Sequence, residues 1–134
     1  MFQTLEEYLE ELMPSAWMKK FRSLRHGRES GTLSETQYYD AVNKLIYRET
    51  SKEAISHLSQ SLKDDFDIQD CSFSHHFIAR LLARFSGAVM DFLMARVIRL
   101  KKLCCKHKRE RSQADGITLV MDPSKRRLLT IFAC

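Results

Sequence analysis

Glycine and proline are scarce in this chain, 4 and 2 among 134 residues. A sandwich or barrel needs a turn roughly every 8–12 residues, so few breakers favour helices. Glycine is also missing where chemistry would require it. No glycine-rich loop is present to cradle phosphates. No oxyanion turn accompanies the cysteines with His57, His75 or His76 as nucleophile and base. The acidic stretch 64–71 lacks the central glycine and closing glutamate of a calcium loop, so its aspartates read as turn solvation or helix caps. Cysteine is too sparse for a disulfide scaffold: Cys71, Cys104, Cys105 and Cys134, of which the adjacent pair cannot easily close on itself. Cys71 and His75 have usable metal spacing, with no second pair to complete a tetrahedral site. The N-terminal stretch is acidic and lacks the apolar run of a secretory signal. These absences predict a non-enzymatic, intracellular protein with reduced thiols and no cofactor or metal, in the nucleus, the cytoplasm or both.

Charge is present and polarised. Residues 1–70 hold 13 acids and 9 Lys/Arg, net −4; residues 71–134 hold 4 acids and 13 Lys/Arg, net +9. Such a split points to an anionic partner for the basic half, or to the two halves neutralising each other.

The length suits one domain, 1–134, able to bury a core unaided. Its acidic half, 1–70, reads as four helices. Thr4 with Glu7 and Ser34 with Gln37 form capping boxes, and Thr50 with Glu53 predicts a third. Ser15 caps the second helix, whose Trp17, Phe21 and Leu24 make a core stripe. Residues 26–33, with two of the four glycines, read as a loop. Tyr38, Ala41, Val42, Leu45 and Ile46 form the inner face of the third helix, and Ala54, Ile55, Leu58 and Leu62 that of the fourth.

Residues 74–111 contain no proline and one glycine, and predict one long central helix with a basic end. Uninterrupted, it would be about 55 Å long at roughly 1.5 Å per residue, too long for a chain this size. A break at Ser86–Gly87 or fraying after Cys105 is therefore expected. Arg80, Arg84, Asp91, Lys102 and Lys106 would share one stripe. Internal charges at Arg80, Arg84, Asp91 and Arg96 argue against a membrane span, since each costs about 2.5–3.5 kcal/mol near the bilayer centre. Residues 112–116 read as a turn and 116–133 as a β-hairpin about Asp122-Pro123-Ser124-Lys125, a type I turn. Ile117, Leu119, Met121, Leu128 and Thr130 would share its buried face. Two strands alone are marginal, so the hairpin must pack on a helix or pair with a second copy, giving a homodimer through its edge. The expected architecture is mainly α: about five helices around one long helix, with a small C-terminal hairpin.

The basic run carries the functional reading. Residues 96–111 hold eight Lys/Arg against one acid, Glu110. Arg99, Lys101, Lys102, Lys106, Lys108, Arg109 and Arg111, extended by Arg126 and Arg127, suit phosphate-backbone contacts with RNA or DNA. No zinc finger, RNP motif, KH loop or helix-turn-helix offers base readout, so recognition would be weakly sequence-selective. The bland alternative is a solvated helix end whose cations suit the dipole. The same run suits a nuclear localisation tract, or an adaptor docking on an acidic protein or anionic membrane. Cys104 and Cys105 at the apolar-to-basic junction have the arrangement of an acylation site. Few breakers, dense charge and no catalytic motif also suit a viral accessory protein.

Overall fold

A computed structural model describes residues 3–133; Cys134, weighed above with the other cysteines, lies outside the described residues. The described chain is mainly α, with six helices and a four-stranded sheet. In order these are α1 (Leu5–Leu12), α2 (Ser15–Glu29), α3 (Glu35–Arg48), α4 (Lys52–Phe66), β1 (Ser72–Phe73), α5 (His75–Phe85), α6 (Met90–His107), β2 (Arg111–Ala114), β3 (Ile117–Asp122) and β4 (Arg127–Ala133).

Local chemistry sets most helix starts. Both capping boxes at Thr4/Glu7 and Ser34/Gln37 form. The third does not. Ser51, not Thr50, caps α4 by accepting from the Ala54 amide. Thr50 has other work: its hydroxyl accepts from Trp17 Nε1 at 2.8 Å and donates to the Leu45 carbonyl at 2.6 Å. That bond satisfies an indole that is otherwise buried. Thr50→Val should therefore cost about 1–2 kcal/mol by orphaning the indole N–H, read as a lower urea midpoint with an unchanged m-value. Ser15 is the first residue of α2 and supplies no side-chain cap. The loop expected at 26–33 is half helix, since α2 continues to Glu29. Gly27 permits this, because a Cβ there would sit 2.9 Å from Leu33 Cδ1.

The long helix is broken where expected, and the reason is tertiary. Residues 86–89 separate α5 from α6, and the N-terminus of α1 fills the gap. The Leu5 and Glu6 amides donate to the Ala88 and Ser86 carbonyls at 2.9 and 3.0 Å, and the Met90 amide donates to Gln3 O at 2.8 Å. Backbone groups freed by the break are thus paired, as burial requires. The break also splits the single charged stripe, leaving Arg80 and Arg84 on α5 and Lys102 and Lys106 on α6.

The basic end is not all helix. Lys108 adopts a left-handed conformation with φ 51° and ends α6. Arg111 begins a strand, so the expected hairpin is the middle of a sheet ordered β1-β4-β3-β2. β2 pairs antiparallel with β3, and β1 pairs parallel with β4. Each hairpin strand thus has a neighbour strand within the chain, with β1 meeting only the first two residues of β4. β2 covers β3, and beyond β1 the Ser74 hydroxyl and Arg84 Nη1 cap the Leu129 and Ile131 carbonyls at 2.9 and 3.1 Å. The Asp122 turn forms as expected, Asp122 Oδ1 accepting from the Ser124 and Lys125 amides at 3.1 and 3.2 Å.

A bulge alters which residues face inward. Val120 pairs with Thr130 but Met121 pairs with Leu128, so Leu129 is the extra residue. This puts Leu128 and Ile131, three apart, on the buried face with Ile117, Leu119 and Met121. Thr130, expected there, is on the opposite face with Val120, because the bulge reverses alternation beyond it. α5 and α6 pack on the inner face of the sheet, with Phe77, Leu81, Leu93, Val97 and Leu100 among the buried side chains.

Candidate nucleic-acid interface

The nine cations assigned to phosphate contact do not form one patch. Lys101 is on the inner side of α6, 6% exposed, with Nζ 2.6 Å from Asp70 Oδ1. Arg126, at φ 50°, holds the other Asp70 oxygen at 2.7 Å. Asp70 thus ties the segment before β1 to α6 and to the β3–β4 turn, and both cations serve the fold. The Lys101 ammonium, donating to the Asp70 carboxylate, holds that carboxyl below its usual range; the charges of Lys101 and Arg126 add to this and burial opposes it. Arg99 forms an exposed pair with Asp115 at 3.4 Å. Arg127 is exposed and stands apart at the start of β4.

Apart from Arg127, five of the nine stay exposed and without an ion pair among the described residues: Lys102, Lys106, Lys108, Arg109 and Arg111. Lys102 and Lys106, with Arg99, flank a groove of about 480 Å³ on the outer face of α6, floored by Ala95, Ile98 and Leu103. Arg109 and Arg111 flank a second concavity of about 610 Å³ on the outer face of the sheet, with Gln113, Thr118 and Phe132. The sharp turn at Lys108 joins the two.

The second concavity continues from Arg111, which the sequence reading selected, into residues that it did not. Arg111 Cζ is 5.8 Å from the Phe132 ring centroid, and Arg84 Cζ is 5.7 Å from the same ring. Arg84 reaches round the open edge of β4, where it caps Ile131. It also lies 5.2 Å from the Tyr39 ring, which carries Arg80 at 5.4 Å and Arg28 at 5.8 Å. All are within cation–π range. Arg80, Arg84, Arg109 and Arg111 have no ion-pair carboxylate among the described residues. His76 accepts from Arg80 Nε at 3.5 Å, and burial, then the charges of Arg80 and Arg84, pulls its pKa down. The result is a strip of alternating guanidinium and aromatic groups from α3 to β2, with Arg84 shared by both rings. Its residues come from α3, α5, β2 and β4, so no local spacing announces it. The one sequence signal was the Arg80, Arg84 pair at i, i+4.

The cysteines divide by exposure. Cys104 is 0% exposed and donates through Sγ to Ser112 Oγ at 3.2 Å. Burial pushes its thiol up, and pushes Cys71 up to about 11. An acyl-transfer reaction needs an accessible thiolate, so of the two adjacent cysteines Cys104 is withheld and the half-buried Cys105 is the more accessible. Among the described residues no three His, Cys, Asp or Glu side chains come together as a metal site, and no helix is long and apolar enough to cross a membrane. No protein-family model, curated protein or solved structure matches this chain.

Proposed function

We propose that this protein is a non-enzymatic, single-strand nucleic-acid-binding protein. Its platform is the outer sheet face, and the free cations at the end of α6 continue its path. The observation that carries this reading is Phe132, half-buried between the guanidiniums of Arg84 and Arg111. A ring on an open sheet face stacks with an unpaired base, and flanking cations take the phosphates on either side. A duplex hides its base faces and cannot use the ring. The exposed Lys102, Lys106, Lys108 and Arg109 extend the positive path beyond one base. Nothing in this arrangement discriminates one base from another, so binding tolerates sequence and the protein acts by coating or holding a strand.

Fluorescence anisotropy with short labelled RNA and DNA, single- and double-stranded, tests this. Single strands are expected to bind more tightly than duplexes. Phe132→Leu should weaken single-strand binding by about 1–2 kcal/mol, the usual range for one stacked base, and leave duplex binding unchanged. Equal affinity for both forms, insensitive to Phe132→Leu, would remove the stacking platform. Displacement of the strand by anionic vesicles or an acidic polypeptide at matched charge would favour an adaptor for acidic partners instead.

A further inference from the structure

Beside the strip, at the break between α5 and α6, lies a separate cleft of about 320 Å³ walled by Arg25, Arg28, Glu29, Arg84, Ser86 and Gly87. Three guanidiniums meet there from two helices, Arg25 and Arg28 from α2 and Arg84 from α5. Two of them are positioned by backbone carbonyls. Arg28 Nη1 donates to Ala83 O at 3.3 Å and Arg84 Nη1 to Ile131 O at 3.1 Å. A carbonyl fixes a guanidinium without cancelling its charge.

The acids at the cleft do not close it. Glu35 pairs with Arg28 at 3.2 Å and Glu29 with Arg25 at 3.3 Å, yet their side chains are 70% and 64% exposed. Such exposed pairs are weak and exchange readily for a stronger anion. Only Glu6, paired with Arg25, is substantially covered.

A buried hydroxyl adds an independent observation. Tyr38 is 0% exposed and its hydroxyl has no hydrogen-bond partner. Buried hydroxyls nearly always have one. Burial raises the Tyr38 pKa, and the groups that oppose this are Arg28, Arg25 and Ser86, three walls of the cleft. Arg28 and Ser86 lie near the phenol, short of bonding geometry. The Arg28 guanidinium lies 5.0 Å from the Tyr38 ring centroid. Ser86 is itself buried. Two guanidiniums fixed on carbonyls, a third beside them and an unsatisfied buried phenol are more than the fold needs here.

We infer that this cleft is a receptor for a phosphate monoester. A monoester carries close to two charges and three acceptor oxygens, matching the several guanidiniums that line the cleft. A phosphodiester has one charge and two chain exits, which suits the open strip better. Guanidiniums favour phosphate through paired N–H···O bonds. The monoester can be a free small molecule or the phosphorylated end of a strand lying on the neighbouring platform. The inference does not depend on the strand reading, although Arg84 belongs to both.

The test uses the full chain and three probes: inorganic phosphate, adenosine monophosphate and adenosine. Phosphate and the monophosphate are expected to raise the melting temperature in a saturable way, and adenosine to leave it unchanged. Arg84→Gln should weaken phosphate binding about tenfold, the loss of a charge-assisted pair. Tyr38→Phe keeps the ring and cannot be excused by misfolding; it should weaken phosphate binding several-fold and leave strand affinity alone. Arg111→Gln should do the reverse. No shift with phosphate or the monophosphate, or equal shifts in the natural protein and both cleft variants, overturns the site. A strand with a terminal phosphate binding tighter than its hydroxyl-ended twin identifies the strand end as the source. Equal affinities of the two strands, with saturable shifts from the free probes, identify the small molecule. Failure of strand binding with phosphate binding intact would sink the platform and leave the cleft.

Discussion

Asp70→Asn is expected to lower the unfolding free energy by about 2–3 kcal/mol, whereas Lys101→Met costs much less. The asymmetry follows from burial. Lys101 has an 8% exposed side chain, Asp70 a 47% exposed one. Removing the carboxylate leaves an ammonium inside the fold with its partner gone. Removing the ammonium leaves a half-solvated carboxylate that still holds Arg126 at 2.7 Å, and methionine fills most of the lysine's volume. The figure lies below that for a fully buried pair because water reaches one side of Asp70. The double variant Asp70→Asn/Lys101→Met should recover most of the loss, since the stranded charge is gone. Urea unfolding of all four proteins gives the coupling energy. Strictly additive losses, or a lysine variant as damaged as the aspartate one, would refute this account.

The same pair gives a pH dependence of known sign. The folded Asp70 carboxyl is held down by the Lys101 hydrogen bond first and by the Lys101 and Arg126 charges after it. A depressed carboxyl contributes stability that is fully present above its unfolded value, near pH 4, and is lost as pH falls through the folded one. The natural protein should therefore lose stability on the acid side more steeply than Asp70→Asn, and the two should converge at low pH. No difference between them is expected above neutrality.

Much of the α half was legible because its signals are local. Thr4 with Glu7 and Ser34 with Gln37 are read within four residues, and the structure has both boxes. Thr50 with Glu53 looked the same and failed, because Trp17, 33 positions earlier in the chain, claims the threonine hydroxyl. The break after α5 was foreseen from Ser86 and Gly87; that α1 plugs it was not, since backbone pairing between distant segments leaves no side-chain pattern. β2 was hidden for another reason. Its first residue, Arg111, closes a run of cations that reads as one amphipathic helix, and only the left-handed Lys108 and the pairing of β2 with β3 separate it. The Leu129 bulge was equally invisible, and it exchanged Thr130 for Ile131 in the core. The platform and the cleft were the least legible parts. Arg28, Tyr39, Arg84 and Phe132 lie on four elements, and sequence distance says nothing of their meeting.

Neutralising Lys102, Lys106, Lys108, Arg109 and Arg111 together with glutamine is expected to abolish strand binding near physiological salt. Each cation that displaces a counterion from a single strand steepens the salt dependence by about 0.7 in log–log slope. Five give a slope near −3.5, so affinity in the natural protein should fall about a hundredfold between roughly 50 and 200 mM salt. The five-fold variant should keep only the small slope that Arg84 contributes, about −0.7. Lys101→Gln is the discriminating control. By sequence it is indistinguishable from Lys102, its neighbour in the same run. By structure its ammonium is buried against Asp70, so it releases no counterion and the slope should stay unchanged while Lys102→Gln reduces it by about 0.7. Equal slopes in the two single variants would mean that binding reads the charge of the run as a whole, as a disordered tract does, rather than the surface that the fold presents. A reduced slope for Lys102 alone would tie strand binding to the outward side of α6, and with it to the folded form of the chain.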